Sequence, residues 1–273
     1  MQIYKEMDIG TAKPTAAEKA EIPHHMVDIV APDQSFNVSE YVHQAQLVID
    51  DCFTRQVQPI VAGGTGLYVN ALLDGFLFPD QQPDPDLRAA LMEEWNADPE
   101  TLHRRLAAVD PATAARLHPN DARRIVRALE VYLRTGTSMS ELQARTSGKQ
   151  ARFDGTWFGL TRDRSALYQR IDQRVDAMFQ QGLIDEVAEL LHRYPQQPTA
   201  LQALGYKEVV WFLQGHLTLE ECVYLIKRNT RRFAKRQLSW FRRDKRIHWF
   251  DAGQMTDMDI AARIEEISRN QQR

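Results

Sequence analysis

The sequence predicts an α/β protein, a parallel sheet covered by helices on both faces and interrupted by a small helical insertion. Three observations predict it. Short β-rich runs alternate with helical patterns, the signature of a parallel sheet. One run ends in Ala62-Gly63-Gly64-Thr65-Gly66 and reads as a strand, a tight glycine turn and a helix start. In open α/β sheets that carboxyl edge is where ligands bind. Between about Pro79 and Asn120 no strand pattern occurs.

The β-rich runs are His25–Val30, Pro59–Ala62, Trp157–Leu160 and Ile247–Phe250, and helical patterns cover Val38 to Phe53 and Tyr168 to Leu191. Asp80 to Asp86 is rich in Pro, Asp and Gln and reads as a linker, followed by two short helices ending near His118-Pro119-Asn120. The expected division is 1–79 for the first part of the core, 80–120 for the insertion, its far boundary open up to 150, and 121–273 for the second part of the core.

The 273 residues are 43% hydrophobic and 26% charged, with a formal charge of −3, so overall charge does not point to nucleic acid. Any basic surface must be local. Cys52 and Cys222 lack metal-site spacing; two buried thiols of a reducing compartment are the reading favoured over a single disulfide. No signal core or membrane-length apolar run is present, which predicts a cytoplasmic protein without a membrane partner. His24-His25 has no third ligand at suitable spacing, so no zinc site is expected.

Lys227 to Arg246 holds ten of the chain's 34 basic residues against one acid, Asp244. Thr218 and Glu221 form a capping-box pattern for its helix. Val223, Ile226, Phe233, Trp240 and Phe241 mark a buried stripe, leaving the cations on the other face. Such a face neutralises phosphates and releases counterions, whereas most charge runs are solvated surface. A second cluster, Asp121 to Glu130, starts a helix capped by Asn120 or Asp121 and places Arg123 and Arg127 four apart on one face, which surface arginines alone also explain. Arg170 and Arg174 lie one turn apart. Two guanidinium forks suit a diphosphate, and ion pairs with Asp172 and Asp176 are the alternative.

These pieces together resemble one family, the tRNA dimethylallyltransferases (isopentenyltransferases) of bacterial type. The resemblance begins with Gln2-Ile3-Tyr4-Lys5-Glu6-Met7-Asp8-Ile9-Gly10-Thr11-Ala12-Lys13-Pro14 and continues through Pro23–Asp28, Val61–Tyr68, His118–Asp121 and Arg127–Val131. It ends with Ala203-Leu204-Gly205-Tyr206-Lys207-Glu208 and Phe233-Ala234-Lys235-Arg236-Gln237. It implies transfer of a dimethylallyl group from dimethylallyl diphosphate to N6 of adenosine 37 in tRNA, with Mg²⁺ as cofactor. The implied fold is that of the P-loop nucleotide kinases, with their nucleotide- and ATP-binding character and a helical insertion. The implied partners are a tRNA anticodon stem-loop, whose target base is flipped into a channel, and the allylic diphosphate; the protein is expected to be a monomer. By motif, Gln2 and Thr65 would lie near the target nucleotide. Arg88, Arg123, Arg124 and Arg127 would contact the anticodon arm, and Gly205, Tyr206 and Lys207 would line the RNA surface. Arg231, Arg232, Lys235 and Arg236 would face RNA or the channel wall, and Arg170 and Arg174 the diphosphate.

The sequence departs from the family pattern at its start. The family's first strand, its G-P-T-A-[SG]-K-[ST] loop, a helix and a second strand ending in Asp-Ser belong before the position of Met1, a unit of about 35 residues. That unit carries the diphosphate cradle, most Mg²⁺ ligands and the general base, so no catalytic residue is assigned here. A start placed on an internal methionine and a true truncation are the two explanations, and the truncated chain is expected to lack the central strand of its sheet, which exposes apolar edges. An adenylate isopentenyltransferase and a non-catalytic tRNA-binding remnant are the competing readings. The first has no use for the insertion or the arginine clusters, and the second predicts salt-sensitive binding without prenyl transfer.

Overall fold

The computed structural model describes residues 1–75, 84–147, 153–197 and 199–271. The chain divides into two compact units, Met1–Val69 with Gly155–Arg273, and Asn70–Asp154. The elements in chain order are α1 (Ala16–Glu21), α2 (Val38–Thr54), α3 (Gly66–Leu73), α4 (Pro85–Ala97), α5 (Pro99–Val109), α6 (Pro111–Ala114), α7 (Ala122–Thr135) and α8 (Met139–Ser147). They continue with β1 (Trp157–Thr161), α9 (Arg164–Gln180), α10 (Leu183–Arg193), α11 (Tyr206–Leu213), α12 (Leu219–Phe241), β2 (Ile247–Asp251) and α13 (Asp257–Gln271).

The first unit is mostly helical around a small parallel sheet. β1 and β2 pair in parallel, Trp157 opposite Ile247 and Thr161 opposite Asp251, and the whole of α9 to α12 forms the crossover between them. Its helix starts are written locally. Asn37 with Glu40 and Thr218 with Glu221 form reciprocal capping boxes, so the one expected at Thr218 is present. The core gathers Tyr4, Met7, Leu183, Leu190, Tyr206 and Ile226, each at most 2% exposed. Complete burial of such a side chain contributes about 1.5–3 kcal/mol.

The second unit uses one device three times. Asp84, Asp98 and Asp110 each precede a proline at the first helical position, and each side chain accepts a hydrogen bond from a first-turn backbone N–H. The aspartate fills an orphan donor, and proline loses nothing where its N–H would be unpaired. Burial raises the Asp110 carboxyl, but hydrogen bonds from Ser140 and Thr113 outweigh it and hold it below the usual range. Leu91, Leu102, Leu106, Ile125 and Leu129 form a separate core. The Trp95 indole N–H, donating to the Pro119 carbonyl at 2.9 Å, ties the loop before α7 to α4.

Several expectations are corrected. His25–Val30 is not a strand, since only a parallel bridge joins Tyr4 to Val30. Met26 and Asp28 adopt left-handed backbone (φ 60° and 57°), which breaks the extended run. Pro59–Ala62 is not a strand either, and Ile60 is 88% exposed. Its side chains suit a pleated, half-buried surface, and among the described residues no strand pairs with it. The helix expected from Tyr168 to Leu191 is two helices, broken at Gly182, whose φ of 98° ends one and starts the next. Asp121 stands at the α7 N-cap without a side-chain cap bond. Most of the expected Asp80–Asp86 linker lies outside the described residues.

Candidate nucleic-acid interface

The N-terminal string folds into a tight loop. The Gln2 carbonyl accepts the Asp28 N–H at 3.1 Å, and Lys5 N–H donates to the Val30 carbonyl at 2.9 Å. Glu6, Ala12, Met26 and Asp28 all have positive φ between 46° and 62°. Four non-glycine residues in this region are costly, of order 1 kcal/mol each, and persist only where surrounding contacts hold them. Those contacts are visible. The Lys13 ammonium, its side chain 3% exposed, bridges the Asp8 and Asp28 carboxylates and donates to the Tyr4 carbonyl at 2.8 Å. Lys19 adds a second cation on Asp28 at 2.6 Å. Burial would raise the Asp28 carboxyl, but the two lysines outweigh it and hold it below the usual range. The Gln2 side-chain nitrogen donates to the Thr11 and Ala12 carbonyls at 3.1 and 2.9 Å.

The loop is held to the core through Tyr206. A Cβ on Gly10 would lie 2.4–2.8 Å from the Tyr206 ring and hydroxyl. That ring is fully buried and its hydroxyl donates to Glu186 at 2.6 Å, so it cannot yield. Gly10→Ala is therefore expected to lower stability by about 1–3 kcal/mol, the usual cost of overpacking, with no change in denaturant m-value. A midpoint within error of the parent would defeat this.

The structure corrects the expected exposure of the Gly205–Lys207 turn. Gly205 and Tyr206 are buried, because the backbone at Gly205 (φ 95°) turns the phenol inward, and Lys207 alone faces outward beside Trp211. Burial and the Glu186 carboxylate push the Tyr206 phenol far up, so it remains a donor.

The glycine turn meets the basic helix. Gln237 donates to the Gly64 carbonyl at 2.8 Å, and a Cβ on Gly66 would lie 2.2 Å from the Trp240 ring. Gly64 and Gly66 thus allow close approach, and exposed Thr65 is carried between them against α12. The stripe expected on α12 is buried only in part. Of that stripe Ile226 alone is fully buried, Val223 and Phe241 are half-buried, and Phe233 and Trp240 are 40% and 43% exposed; Cys222, outside the stripe, is fully buried. Burial pushes the Cys222 thiol up to about 11. Buried Glu208 anchors the helix, accepting Asn229 at 2.8 Å and the Gly205 N–H at 2.9 Å.

Five of the six cations of α12 divide into two sets, and the sixth, Arg228, lies over the Tyr224 ring with a buried Nε that has no hydrogen-bond partner among the described residues. Lys227 pairs with Asp176 at 2.6 Å and Arg231 with Asp172 at 2.5 Å, both across to α9. Arg232, Lys235 and Arg236 are exposed and have no ion-pair partner among the described residues, Arg236 lying over the Phe233 ring. Arg170 and Arg174, both exposed, border an open surface pocket of about 410 Å³ along α9 with Leu167, Ile171 and Gln173, and the acids beside them in sequence pair with α12 instead. Partial desolvation lowers the Arg174 guanidinium below its usual value.

In the second unit, Arg88 and Arg127 both bind buried Glu130, at 2.9 and 2.6 Å, and Arg124 pairs with Asp121 at 2.9 Å. Arg123 is exposed without a partner among the described residues. Three of the four arginines expected on the anticodon arm therefore already carry a carboxylate.

The chain matches the IPP transferase family model over residues 2–244. It belongs to that family. It is 48% identical to a tRNA dimethylallyltransferase of Desulforamulus reducens over 92% of this chain and 89% of the relative. To that of Symbiobacterium thermophilum it is 52% identical over 92% of this chain and 79% of the relative. Among solved structures it is similar to the full-length tRNA isopentenylpyrophosphate transferase of Bacillus halodurans, at 40% identity and a TM-score of 0.69, covering 100% of this chain and 88% of that one. A eukaryotic dimethylallyltransferase acting on tRNA is 28% identical with a TM-score of 0.78, over 98% of this chain and 69% of that one. The fold is accordingly the P-loop kinase-like fold of the tRNA isopentenyltransferases.

For an IPP transferase, sequence reasoning overlooked the residues that hold these parts together, Lys13, Glu186, Glu208, Asn229 and Gln237. Gln237 closed a motif string and could have been asked what it bonds, whereas Glu186 reads locally as ordinary helix surface.

Proposed function

We propose that this chain works in the prenylation of tRNA, the dimethylallyl group of dimethylallyl diphosphate passing to N6 of adenosine 37. The observation that carries the RNA half of this reading is the exposed set Arg232, Lys235 and Arg236, without ion pairs among the described residues, on the helix whose Gln237 clasps the glycine turn. A folded acidic-to-neutral protein that gives these three exposed cations no ion pair among the described residues, while neutralising their neighbours Lys227 and Arg231, has a surface for phosphates. Thr65 and Gln2 then face the target nucleotide, Lys207 and Arg123 extend the RNA contact, and Gly205 and Tyr206 support it from beneath. Arg88, Arg124 and Arg127 contribute what their carboxylate partners leave exposed.

Arg170 and Arg174 are read as diphosphate ligands. Their forks neutralise charge that grows on the leaving group, and an allylic carbon tolerates the positive charge left behind. Chemistry then needs N6 placed opposite C1, which is orientation by the bound RNA. Mg²⁺ would bind through one or two carboxylates and the diphosphate itself. Asp8 and Asp28 are both engaged by Lys13, and among the described residues no three His, Cys, Asp or Glu side chains gather as a metal site. The described residues do not fit the ion, and no step is routed through it. No described carboxylate is assigned as the base for the N6 proton. Among the described residues no helix is long and apolar enough to cross a membrane; the reading is of a monomer at work in the cytoplasm.

The experiment is a competition between AMP and an anticodon stem-loop carrying adenosines at positions 36 and 37. The stem-loop is expected to be favoured by at least about 100-fold, since AMP offers one phosphate where the arm offers several. Preference for AMP would turn the reading toward a nucleotide-prenylating enzyme. Arg170→Gln with Arg174→Gln should weaken inorganic diphosphate binding by at least about tenfold and leave stem-loop affinity unchanged, measured calorimetrically.

A further inference from the structure

We propose that Glu186 is a positioning residue that sets the Gln2 side chain toward the target nucleotide. Glu186 lies on α10, some 175 residues from the loop it binds. One carboxylate oxygen accepts the N–H groups of Asp8 and Ile9 at 3.0 and 2.7 Å, and the other accepts Gly10 N–H at 3.2 Å and the Tyr206 hydroxyl at 2.6 Å. Three consecutive amides pointing at one anion form a backbone nest whose occupant is supplied by the protein itself. Charge-assisted bonds of this kind are about twice as strong as neutral ones.

What this fixes lies immediately downstream. The carbonyls of Thr11 and Ala12 are the two acceptors of the Gln2 side-chain nitrogen. Because both partners are acceptors, the carboxamide has one orientation, its nitrogen on the Thr11 and Ala12 carbonyls and its oxygen turned away from them. That oxygen has no partner among the described residues. It is an acceptor held at the loop surface, suited to the N6 amine of adenine and opposed to the O6 carbonyl of guanine. Left-handed Ala12 (φ 46°) would relax without the nest, turning its carbonyl away and freeing the Gln2 carboxamide to rotate.

The inference rests on the reading that Gln2 faces the target nucleotide, and its test separates the two. The full chain and its variants are titrated with fluorescent anticodon stem-loops carrying adenosine or guanosine at position 37. The parent is expected to favour adenosine by at least about tenfold, the scale of one well-placed hydrogen bond. Glu186→Gln should abolish that preference, leave guanosine binding unchanged, and raise amide exchange at residues 8–10 by at least about tenfold. Gln2→Ala should abolish it equally, and the double variant should match Gln2→Ala alone, because the residues act in series. Full discrimination in Glu186→Gln, with Gln2→Ala defective, overturns the role of Glu186 only. Full discrimination in Gln2→Ala, or none in the parent, sinks the Gln2 reading and the inference with it. Glu186→Asp, which keeps the charge on a shorter arm, serves if the glutamine variant does not fold. A folded aspartate variant with unaltered preference equally overturns the proposal.

Discussion

Replacing Arg232, Lys235 and Arg236 together by glutamine is expected to weaken anticodon stem-loop binding by about 100-fold at low salt. The slope of log affinity against log salt should flatten by about 2–3, roughly 0.7–0.9 for each phosphate no longer neutralised. The size follows from their state in the free protein. None has an ion-pair partner among the described residues, so none gives up an internal carboxylate to meet phosphate. Arg231 is the internal control. Its bond to Asp172 at 2.5 Å already satisfies the guanidinium, so Arg231→Gln should cost under about tenfold. Fluorescence anisotropy from about 50 to 200 mM salt measures both. An unchanged slope in the triple variant would remove α12 from the interface. Thermal midpoints should stay within a few degrees, because all three side chains are exposed.

The second large effect is on stability. Glu130 is 1% exposed and binds Arg88, Arg127 and the Asp84 N–H. Glu130→Gln keeps an acceptor for Asp84 but turns amide hydrogens toward two cations. Removing one member of a fully buried ion pair costs about 3–5 kcal/mol. Here the arginine side chains are 41% and 35% exposed and can reach water, which reduces the expected loss to about 2 kcal/mol. The pH dependence has a definite sign. Burial raises the Glu130 carboxyl, but Arg88, the Asp84 amide and Arg127 outweigh it and hold it below the usual range. A depressed folded-state pKa contributes stability above the unfolded value of about 4.3, and that stability is lost as pH falls through the folded value. The parent and variant should therefore differ most at neutral pH and converge in acid. Amide exchange within α7, followed from about pH 7 downward, reads this directly. A gap that stays constant or widens in acid contradicts the assignment.

The Glu130 network also shows where reading the sequence stops. Arg123 and Arg127 share a helix period, and pattern alone put both on one polar face. The structure turns Arg127 to Glu130, three residues on, and leaves Arg123 exposed. Both outcomes satisfy the same spacing; what chooses is that Asp84 and Arg88, over 40 residues earlier, arrive at the same carboxylate. Likewise Asp172 and Asp176 lie two residues from Arg170 and Arg174 in sequence, yet the two acids pair with Arg231 and Lys227 of α12, partners that local spacing does not reveal.

By itself the sequence determined what short-range physics writes. The capping box at Thr218, the helical pattern of Val38 to Phe53, the extended runs Trp157–Leu160 and Ile247–Phe250, and the concentration of cations from Lys227 onward all follow from neighbouring residues. The motif strings determined the family. Only the tertiary structure decided which cations remain unpaired, that Tyr206 points inward, that Pro59–Ala62 gains no ladder, and that Glu186 holds the loop after Gln2. Each depends on a partner far away in the chain, and the energy of a buried charge or an unpaired strand is set by that partner rather than by its own neighbours.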